Sequence, residues 1–128
     1  MPIYSQSPPA QAFLPEHPVS ARILVAEDPF VGSFLRTVLQ RHGHKVVTGE
    51  AVHSSELVRQ GRVAADVVIT NDPKAFPPLA DTLPLLYIAA TPDPELASRF
   101  PTCRVLRKPF HNDELLEAVE DLARSVVR

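Results

Sequence analysis

Apolar residues form short continuous runs along this chain, and longer segments of mixed character separate the runs. Residues 23–26, 67–69 and 83–90 are nearly uninterrupted apolar runs, which predict strands buried on both faces of a sheet. Residues 46–47 form a shorter run, and residues 103–107 alternate apolar and polar side chains, as a strand at a sheet edge does. The pattern therefore predicts five strands.

Helically spaced apolar residues lie between these strands. The first predicted helix ends at Gly43, a weaker one covers residues 54–60, and the last one opens at Asn112, a candidate N-cap. Asp113 and Glu114 then lie at the positive end of the last helix. The apolar faces of the first and last helices consist of Val31, Phe34, Leu35, Val38 and Leu39, and of Leu115, Leu116, Val119, Leu122 and Val126.

The two remaining crossovers are short. Three prolines interrupt residues 72–83, so that at most a turn or two around Ala75 or Leu79 can be helical. In the next crossover, Asp93 can cap a short helix over residues 94–99. We therefore expect shortened third and fourth helices, which leave their side of the sheet thinly covered.

The distribution of apolar runs predicts the order of the strands. In a parallel sheet, the uniformly apolar strands are the central ones, and here these are the first, third and fourth. The prediction is an α/β fold with a doubly wound, five-stranded parallel sheet in the flavodoxin-like order 2-1-3-4-5. It covers residues 21–128, whereas residues 1–20 hold five of the fourteen prolines and predict a Pro-rich N-terminal arm.

Composition narrows the classes of partner. Acidic and basic residues nearly balance at a net charge of −2 and no basic stripe is evident, so we expect no direct nucleic-acid binding. The longest apolar stretch is too short to cross a bilayer, and the N-terminus lacks the order of a signal peptide. The single cysteine, Cys103, suits a reducing compartment, and we expect a cytoplasmic protein without membrane association.

Isolated titratable residues outside the predicted sheet ends carry no strong signal. His42 and His44 flank Gly43 at the end of the first helix, where we expect both on the surface. Two histidines make an incomplete metal site. No base is placed beside Cys103 by the sequence, so we expect a strand residue and not a nucleophile.

Polar residues follow the strands at the edge where such folds bind ligands. Glu27 and Asp28 follow the first strand, Asn71 and Asp72 the third, and Lys108 the fifth. In a doubly wound sheet these carboxyl ends lie together at the point where the strand order reverses. Carboxylates suit a hard cation such as Mg²⁺, and a lysine suits a phosphoryl group.

Four segments in this order resemble the receiver domain of bacterial response regulators. They are residues 23–28, 41–47, 66–71 and 106–110, and the resemblance covers nearly everything but the arm. In that family the acidic pair after the first strand holds Mg²⁺, which Glu27 and Asp28 match. The family's lysine after the fifth strand contacts the phosphoryl group, and Lys108 matches it. Without phosphate, we expect Lys108 to pair with Asp28 or Asp72, or to donate to the side-chain oxygen of Asn71.

Three positions depart from the family pattern. The phosphate-accepting aspartate of the family falls on Asn71, its Ser/Thr after the fourth strand on Ala89, and its switching aromatic on Val105. A carboxamide is a very poor nucleophile, and its neutrality weakens any Mg²⁺ binding. The resemblance thus implies a degenerate pseudo-receiver without enzymatic activity, in which Mg²⁺ binds weakly or not at all.

Two other functions stay open at this point. A slip of one residue in the third strand would make Asp72 the acceptor of a Mg²⁺-dependent phosphoryl transfer, although such a slip would also turn over the other side chains of the strand. A small domain that binds a metabolite or nucleotide is the other alternative. The turn over residues 28–32 gives it little support, because it lacks a glycine-rich phosphate loop.

The resemblance also implies a surface for protein partners. Receivers generally present the face made by the fourth helix, the fifth strand and the last helix, and here that face carries Arg99, Arg104 and Arg107. The expected function is a phosphorylation-independent interaction module in two-component signalling. Its candidate partners are a histidine kinase, another receiver, an output protein and a second copy of the chain.

Overall fold

We describe the fold from a computed structural model, in which residues 20–76 and 83–126 can be described. The predicted arm, apart from Ser20, and the turn expected around Leu79 lie outside these residues. The strands and helices, in chain order, are β1 (Arg22–Ala26), α1 (Pro29–Arg41), β2 (Lys45–Thr48), α2 (Ala51–Arg59), β3 (Val67–Thr70), a 3₁₀ turn (Pro73–Ala75), β4 (Leu85–Ala89), α3 (Pro94–Ala97), β5 (Cys103–Arg107) and α4 (Asn112–Val126).

The five strands form one parallel sheet in the order β2-β1-β3-β4-β5. This order confirms the predicted doubly wound fold, with β2 and β5 at the edges. The fourth predicted helix is shortened to the four residues of α3, and the described part of the third crossover forms only the 3₁₀ turn. None of the helices in the described residues is long and apolar enough to cross a membrane.

One face of the sheet packs against α1 and α4. Leu35 and Leu39 of α1 and Leu115 of α4 are fully buried against the strand residues on this face. Phe34 was predicted on the same apolar face of α1, and this prediction is wrong, because 47% of the residue is exposed. Each residue of a helix is rotated by about 100° from the one before it, so Phe34 lies to the side of the stripe that contains Leu35.

The other face carries α2, the 3₁₀ turn and α3, and it is better covered than the short crossovers led us to expect. Phe76 and Phe100 are almost completely buried there and pack against Leu24, Val68 and Leu85 of the strands. Aromatic side chains bury large areas, so these two contribute much of the covering of this face among the described residues.

Polar side chains set where the helices begin. Glu50 accepts a hydrogen bond from the backbone N–H of His53, so α2 starts at Ala51, three residues before the predicted start. Asp93 caps α3 as predicted, by accepting from the backbone of Glu95. Asn112 was predicted as the N-cap of α4 and is instead its first residue, while the Glu114 carboxylate accepts from the backbone of the preceding His111.

Arg22, the first residue of β1, contacts Asp66, the residue directly before β3. The Asp66 carboxylate accepts hydrogen bonds from the backbone N–H and the guanidinium of Arg22, and the Asp66 backbone N–H donates to the Arg22 carbonyl at 2.7 Å. The guanidinium lowers the pKa of the Asp66 carboxyl through these hydrogen bonds. This contact defines the register at which the two central strands begin to pair.

His44 is buried, which contradicts the expectation that both histidines lie on the surface; His42 is exposed. The ring Nδ1 of His44 accepts a hydrogen bond of 3.1 Å from the backbone N–H of Ala21, just before β1. Burial lowers the pKa of His44, against the opposing effect of Glu120 and with the help of His42. The neutral imidazole is therefore part of the junction between the turn after α1 and the start of β1.

Protonation of His44 should destabilise the domain. Because the folded state holds the proton less well than the unfolded chain, the stability is complete above the unfolded pKa of about 6.5 and is lost as the pH falls below it. We expect His44→Asn, which keeps an acceptor near the Nδ1 position, to abolish this part of the pH dependence. Denaturant unfolding between pH 7.5 and 5 measures it, with the exposed His53→Asn as the control. Parallel pH curves for wild type and His44→Asn would contradict the assignment.

Candidate functional site

The carboxyl ends of β1 and β3 open into one cavity of about 660 Å³. Glu27, Asp28, Asn71 and Asp72 line it, as the sequence predicted for the end of a doubly wound sheet. The end of β2, the short loop after it and the start of α2 form the far side of the cavity, through Thr48, Gly49, Glu50, Ala51 and Val52. The site is therefore a cleft between α1 and α2, with carboxylates and one carboxamide on its floor.

Glu27 is the most deeply buried charged group of this site. Its side chain is 0% exposed, Oε1 accepts from the backbone N–H of Asp28 at 3.3 Å, and Oε2 lies 3.4 Å from the Nζ of Lys108. No hydrogen-bond partner within good geometry reaches Oε2 among the described residues. Burial raises the pKa of Glu27, and the charge of Lys108 opposes this rise. The carboxylate thus depends on Lys108 for most of its compensation.

Lys108 reaches Glu27 from the carboxyl end of the edge strand β5. It follows β5, its backbone N–H donates to the carbonyl of Ala89 at 2.9 Å, and the Lys108–Pro109 peptide bond is cis. Its side chain is 29% exposed. From the sequence we expected Lys108 to pair with Asp28 or Asp72 or to donate to Asn71, and the ion pair with Glu27 corrects that expectation.

Asp28 works as the N-cap of α1. Its Oδ1 accepts hydrogen bonds from the backbone N–H groups of Phe30 and Val31, at 3.0 and 3.1 Å. These bonds satisfy donors that a helix start otherwise leaves free. Asp28 therefore lines the cavity and holds the helix at the same time.

The pairing of β1 with β3 decides which residue stands beside Glu27. Ala26 pairs with Thr70, whose hydroxyl donates to the Ala26 carbonyl at 2.9 Å and accepts from the backbone N–H of Asp72. One step further along both strands, Asn71 is level with Glu27. Asn71 is exposed, and Asp72 is half-buried one residue beyond it. The register therefore makes the carboxamide of Asn71, not the carboxylate of Asp72, the first side chain after the paired end of β3.

The other two positions that the sequence comparison singled out, Ala89 and Val105, lie apart from the cavity. Ala89 is the last residue of β4 and is half-buried, but it does not line the cavity. Val105 lies in the middle of β5 with 46% of its surface exposed. The structure therefore brings the acidic residues and Asn71 together. Ala89, Val105 and Lys108 do not line the cleft, although the Nζ of Lys108 contacts Glu27.

Sequence reasoning missed one cationic side chain of the site. Gly32 and Arg36 line the cavity together with Asp28. These residues stand four apart, so they share one face of α1, and this spacing was the signal that could have identified Arg36. A Cβ at Gly49, on the opposite wall, would lie 2.5 Å from the buried Ser54 hydroxyl oxygen, so that side chain would have to move.

The possible metal ligands among the described residues fit a divalent cation poorly. No group of three histidine, cysteine, aspartate or glutamate residues within residues 20–76 and 83–126 is placed to hold a metal ion. Glu27 is paired with Lys108, and one oxygen of Asp28 already accepts two backbone hydrogen bonds. Mg²⁺ requires near-octahedral oxygen coordination, which these two residues do not supply by themselves.

The predicted partner face is exposed and basic. Arg99, Arg104 and Arg107 all lie on the surface at the β5 edge. Arg104 forms an ion pair with Asp121 of α4, and the Nε of Arg107 donates to the carbonyl of Ala90 at 3.4 Å. The face therefore combines cationic side chains with the exposed Val105 at the open edge of the sheet.

Solved structures of response-regulator receivers share this architecture. A receiver protein from Sinorhizobium medicae is 22% identical, with a TM-score of 0.69 and coverage of 84% of this chain and 97% of that one. A receiver protein from Burkholderia phymatum is also 22% identical, with a TM-score of 0.69 and coverage of 80% and 94%. NtrX from Brucella abortus, solved with ADP, is 21% identical with a TM-score of 0.69; 85% of this chain matches 27% of that longer one.

Neither a protein-family model nor a curated protein sequence matches the chain. At about 22% sequence identity, the similarity to these structures shows the fold alone. The chain has the receiver-domain fold that its sequence pattern resembled.

Removing Lys108 should destabilise the domain more than removing the carboxylate of Glu27. Lys108→Met leaves a fully buried carboxylate without compensation, and we expect a loss of about 2 kcal/mol in the free energy of unfolding at neutral pH. Glu27→Gln should cost less, because Lys108 is partly exposed and can turn to solvent. The loss in Lys108→Met should shrink as the pH falls toward the unfolded glutamate pKa of about 4.3, because the raised pKa of Glu27 lets the folded state take up a proton above that pH.

Urea unfolding of both variants at pH 7.5 and pH 4.5 measures this difference. The matched control is Arg107→Met, which removes an exposed charge from the adjacent position. Equal losses for Lys108→Met and Arg107→Met would show that the pair does not stabilise the site.

Proposed function

We propose that this domain is a pseudo-receiver: a phosphorylation-independent protein–protein interaction module of two-component signal transduction, without enzymatic activity. The observation that carries the proposal is the position of Asn71, level with the buried Glu27 at the carboxyl end of the central strands. The receiver-domain fold supports the pathway, and the chemistry of this position supports the mode of action.

Three positions, Asn71, Ala89 and Val105, lack the groups that a receiver's phosphoryl switch uses. An acyl phosphate forms when a carboxylate oxygen attacks the phosphorus of a donor, and the neutral amide of Asn71 is a very poor nucleophile. Ala89 has no hydroxyl to bind an incoming phosphoryl oxygen. Val105 has no aromatic ring to move between two positions. Each substitution removes a different step of the switch, and all three act in the same direction.

The electrostatics of the cleft support a permanent structural state. In a phosphate-binding site a lysine must be available for the phosphoryl group, whereas here the lysine compensates a fully buried carboxylate. Movement of Lys108 away from Glu27 would leave that carboxylate unpaired, which is costly in a buried site. The charged groups of the site therefore hold one another in a single arrangement, without a need for Mg²⁺.

The partner of such a module is a protein that binds a surface of fixed conformation. We place the contact on the basic face of Arg99, Arg104 and Arg107, where the open edge of β5 and Val105 add apolar area. A histidine kinase, another receiver or an output protein would present an acidic surface to this face. A second copy of the chain is the remaining candidate.

One observation favours a phosphorylated alternative. Asp72 lines the same cavity as Asn71 and carries the carboxylate that Asn71 lacks. In this alternative, Asp72 accepts the phosphoryl group with Mg²⁺ bound by Asp28. The register of β3 argues against it, because Asp72 stands one residue beyond the level of Glu27.

The absence of phosphate acceptance can be tested directly. We expect no mass adduct and no change in the amide NMR spectrum when the protein is incubated with Mg²⁺ and acetyl phosphate, or with beryllofluoride. A phosphorylatable receiver treated in parallel is the positive control. An adduct that disappears in Asp72→Asn would establish the alternative, and one that survives this substitution would place the acceptor elsewhere.

The partner face can be tested by charge reversal. We expect the double substitution Arg104→Glu and Arg107→Glu to weaken partner binding at least about tenfold, since it replaces complementary charges by repulsive ones. Titration of the isotope-labelled protein with purified kinases and receivers of the same organism measures it. Arg59→Glu, an exposed arginine of α2 on the other side of the domain, is the control. Unchanged binding of the double variant would place the interface on another face.

A further inference from the structure

Two aromatic side chains of α1 lie on the surface beside the segment that follows β5. Phe30 is 86% exposed and Phe34 is 47% exposed, and they stand one helical turn apart. With Pro109 and Phe110 they line a shallow depression of about 470 Å³, which also includes Val31, Ala90 and Lys108. We call these four residues, Phe30, Phe34, Pro109 and Phe110, the aromatic patch.

The aromatic patch differs from the other exposed apolar residues of the domain. Val47, Val52 and Val105 are smaller, and exposed apolar residues that stand singly are common on protein surfaces. Adjacent exposed phenylalanines at a depression are a different case, because contiguous apolar surface on a protein usually marks a binding site. Neither ring has a role in the core or in the cleft between α1 and α2.

We propose that the aromatic patch is the docking site of the protein's own Pro-rich N-terminal segment, with Phe13 and Leu14 as the anchoring side chains. Residues 1–19 precede the described part of the domain, and Phe13 and Leu14 are adjacent large apolar residues within them. This surface is distinct from the partner face of the proposed function, so the two can be tested separately.

The chain enters the domain close enough for this contact. The Ser20 hydroxyl donates to the carbonyl of Gly43 at 2.8 Å, which places Ser20 next to the end of α1. From Arg41 at that end, Phe34 and Phe30 are about 10 and 16 Å along the helix axis, at about 1.5 Å per residue. The six residues from Leu14 to Ser20 span up to roughly 20 Å when extended. Leu14 can therefore reach both rings without any change in the domain.

The chemistry of the segment fits the patch. Proline-rich stretches favour the extended polyproline II conformation and bind aromatic-lined grooves at a low entropy cost. Pro8, Pro9, Pro15 and Pro18 surround the Phe13–Leu14 pair on both sides. Glu16 is the one aspartate, glutamate, lysine or arginine of residues 1–19, so the segment carries little charge that would oppose contact with an apolar surface. The composition of the segment thus favours docking of the Phe13–Leu14 pair on the aromatic patch.

A tethered segment has an advantage over any free occupant. Attachment through a short linker gives an effective concentration in the millimolar range, so even a weak contact is populated within one molecule. When docked, the segment covers the start of α1 and withholds that surface from other proteins. A partner that binds the Pro-rich segment would uncover it.

A spin label in the segment tests the contact in the complete chain. The label is attached in Gln11→Cys, with Cys103→Ser to remove the native thiol, and amide signals are recorded by NMR. We expect loss of the signals of residues 30–36 and 110–111, while those of α2 are retained. The same loss should vanish when Phe30→Ser and Phe34→Ser are added. These are exposed positions, so the fold should persist.

Two controls distinguish this contact from nonspecific apolar association and from contact between two molecules. Val52→Ser, an exposed apolar residue of α2, should leave the signal loss unchanged. Mixing spin-labelled protein without isotopes and isotope-labelled protein without a spin label should give no signal loss, because the contact is within one chain. The proposal is overturned by retained signals over residues 30–36, by a loss that survives the double phenylalanine substitution, or by a loss seen only in the mixture, which would identify a second copy as the occupant.

Discussion

The register between the two central strands determines which side chains follow them at the carboxyl edge of the sheet. Arg22 and Asp66 align the first residues of β1 and β3, and the pairing then runs without interruption to Ala26 and Thr70. Every residue that follows these strands at the carboxyl edge takes its position from this ladder. A shift of one residue would turn the alternating side chains of β3 over and move buried valines into the wrong layer. The packing of both faces of the sheet thus makes Asn71, not Asp72, the first residue after the paired end of β3.

A second consequence of the register is the electrostatic state of the cleft. Glu27 is fully buried at the end of β1, and a charge in that position needs a partner. Lys108 supplies it from the end of β5, across β3 and β4, so the ion pair links an edge strand to the centre of the sheet. In a phosphoryl switch these charges would have to rearrange, and here they compensate one another. The proposed signalling role therefore rests on surfaces and not on chemistry in the cleft.

The domain offers two different surfaces for such a role. The edge at β5 is basic, and its charged side chains are solvated, so it suits selective contact with an acidic partner. The aromatic patch at the start of α1 is apolar, and it lies within reach of the chain's own N-terminal segment. In our two proposals, one surface selects its partner by charge, and the N-terminal segment covers or uncovers the other. A fixed domain can regulate binding in this way without a change of its own conformation.

The sequence by itself determined the sheet order, the edge strands and the shortened crossovers, because the continuity of apolar runs reflects how many faces of a strand are buried. It also placed the acidic residues and Asn71 at one end of the sheet, since the ends of parallel strands meet there. The tertiary structure alone decided the partner of Lys108, the burial of His44 and the exposure of Phe34. These depend on side-chain directions and on contacts between residues far apart in the chain, which local periodicity does not encode. Arg36 lines the cleft for the same reason, because the packing of α1 against the sheet brings it there.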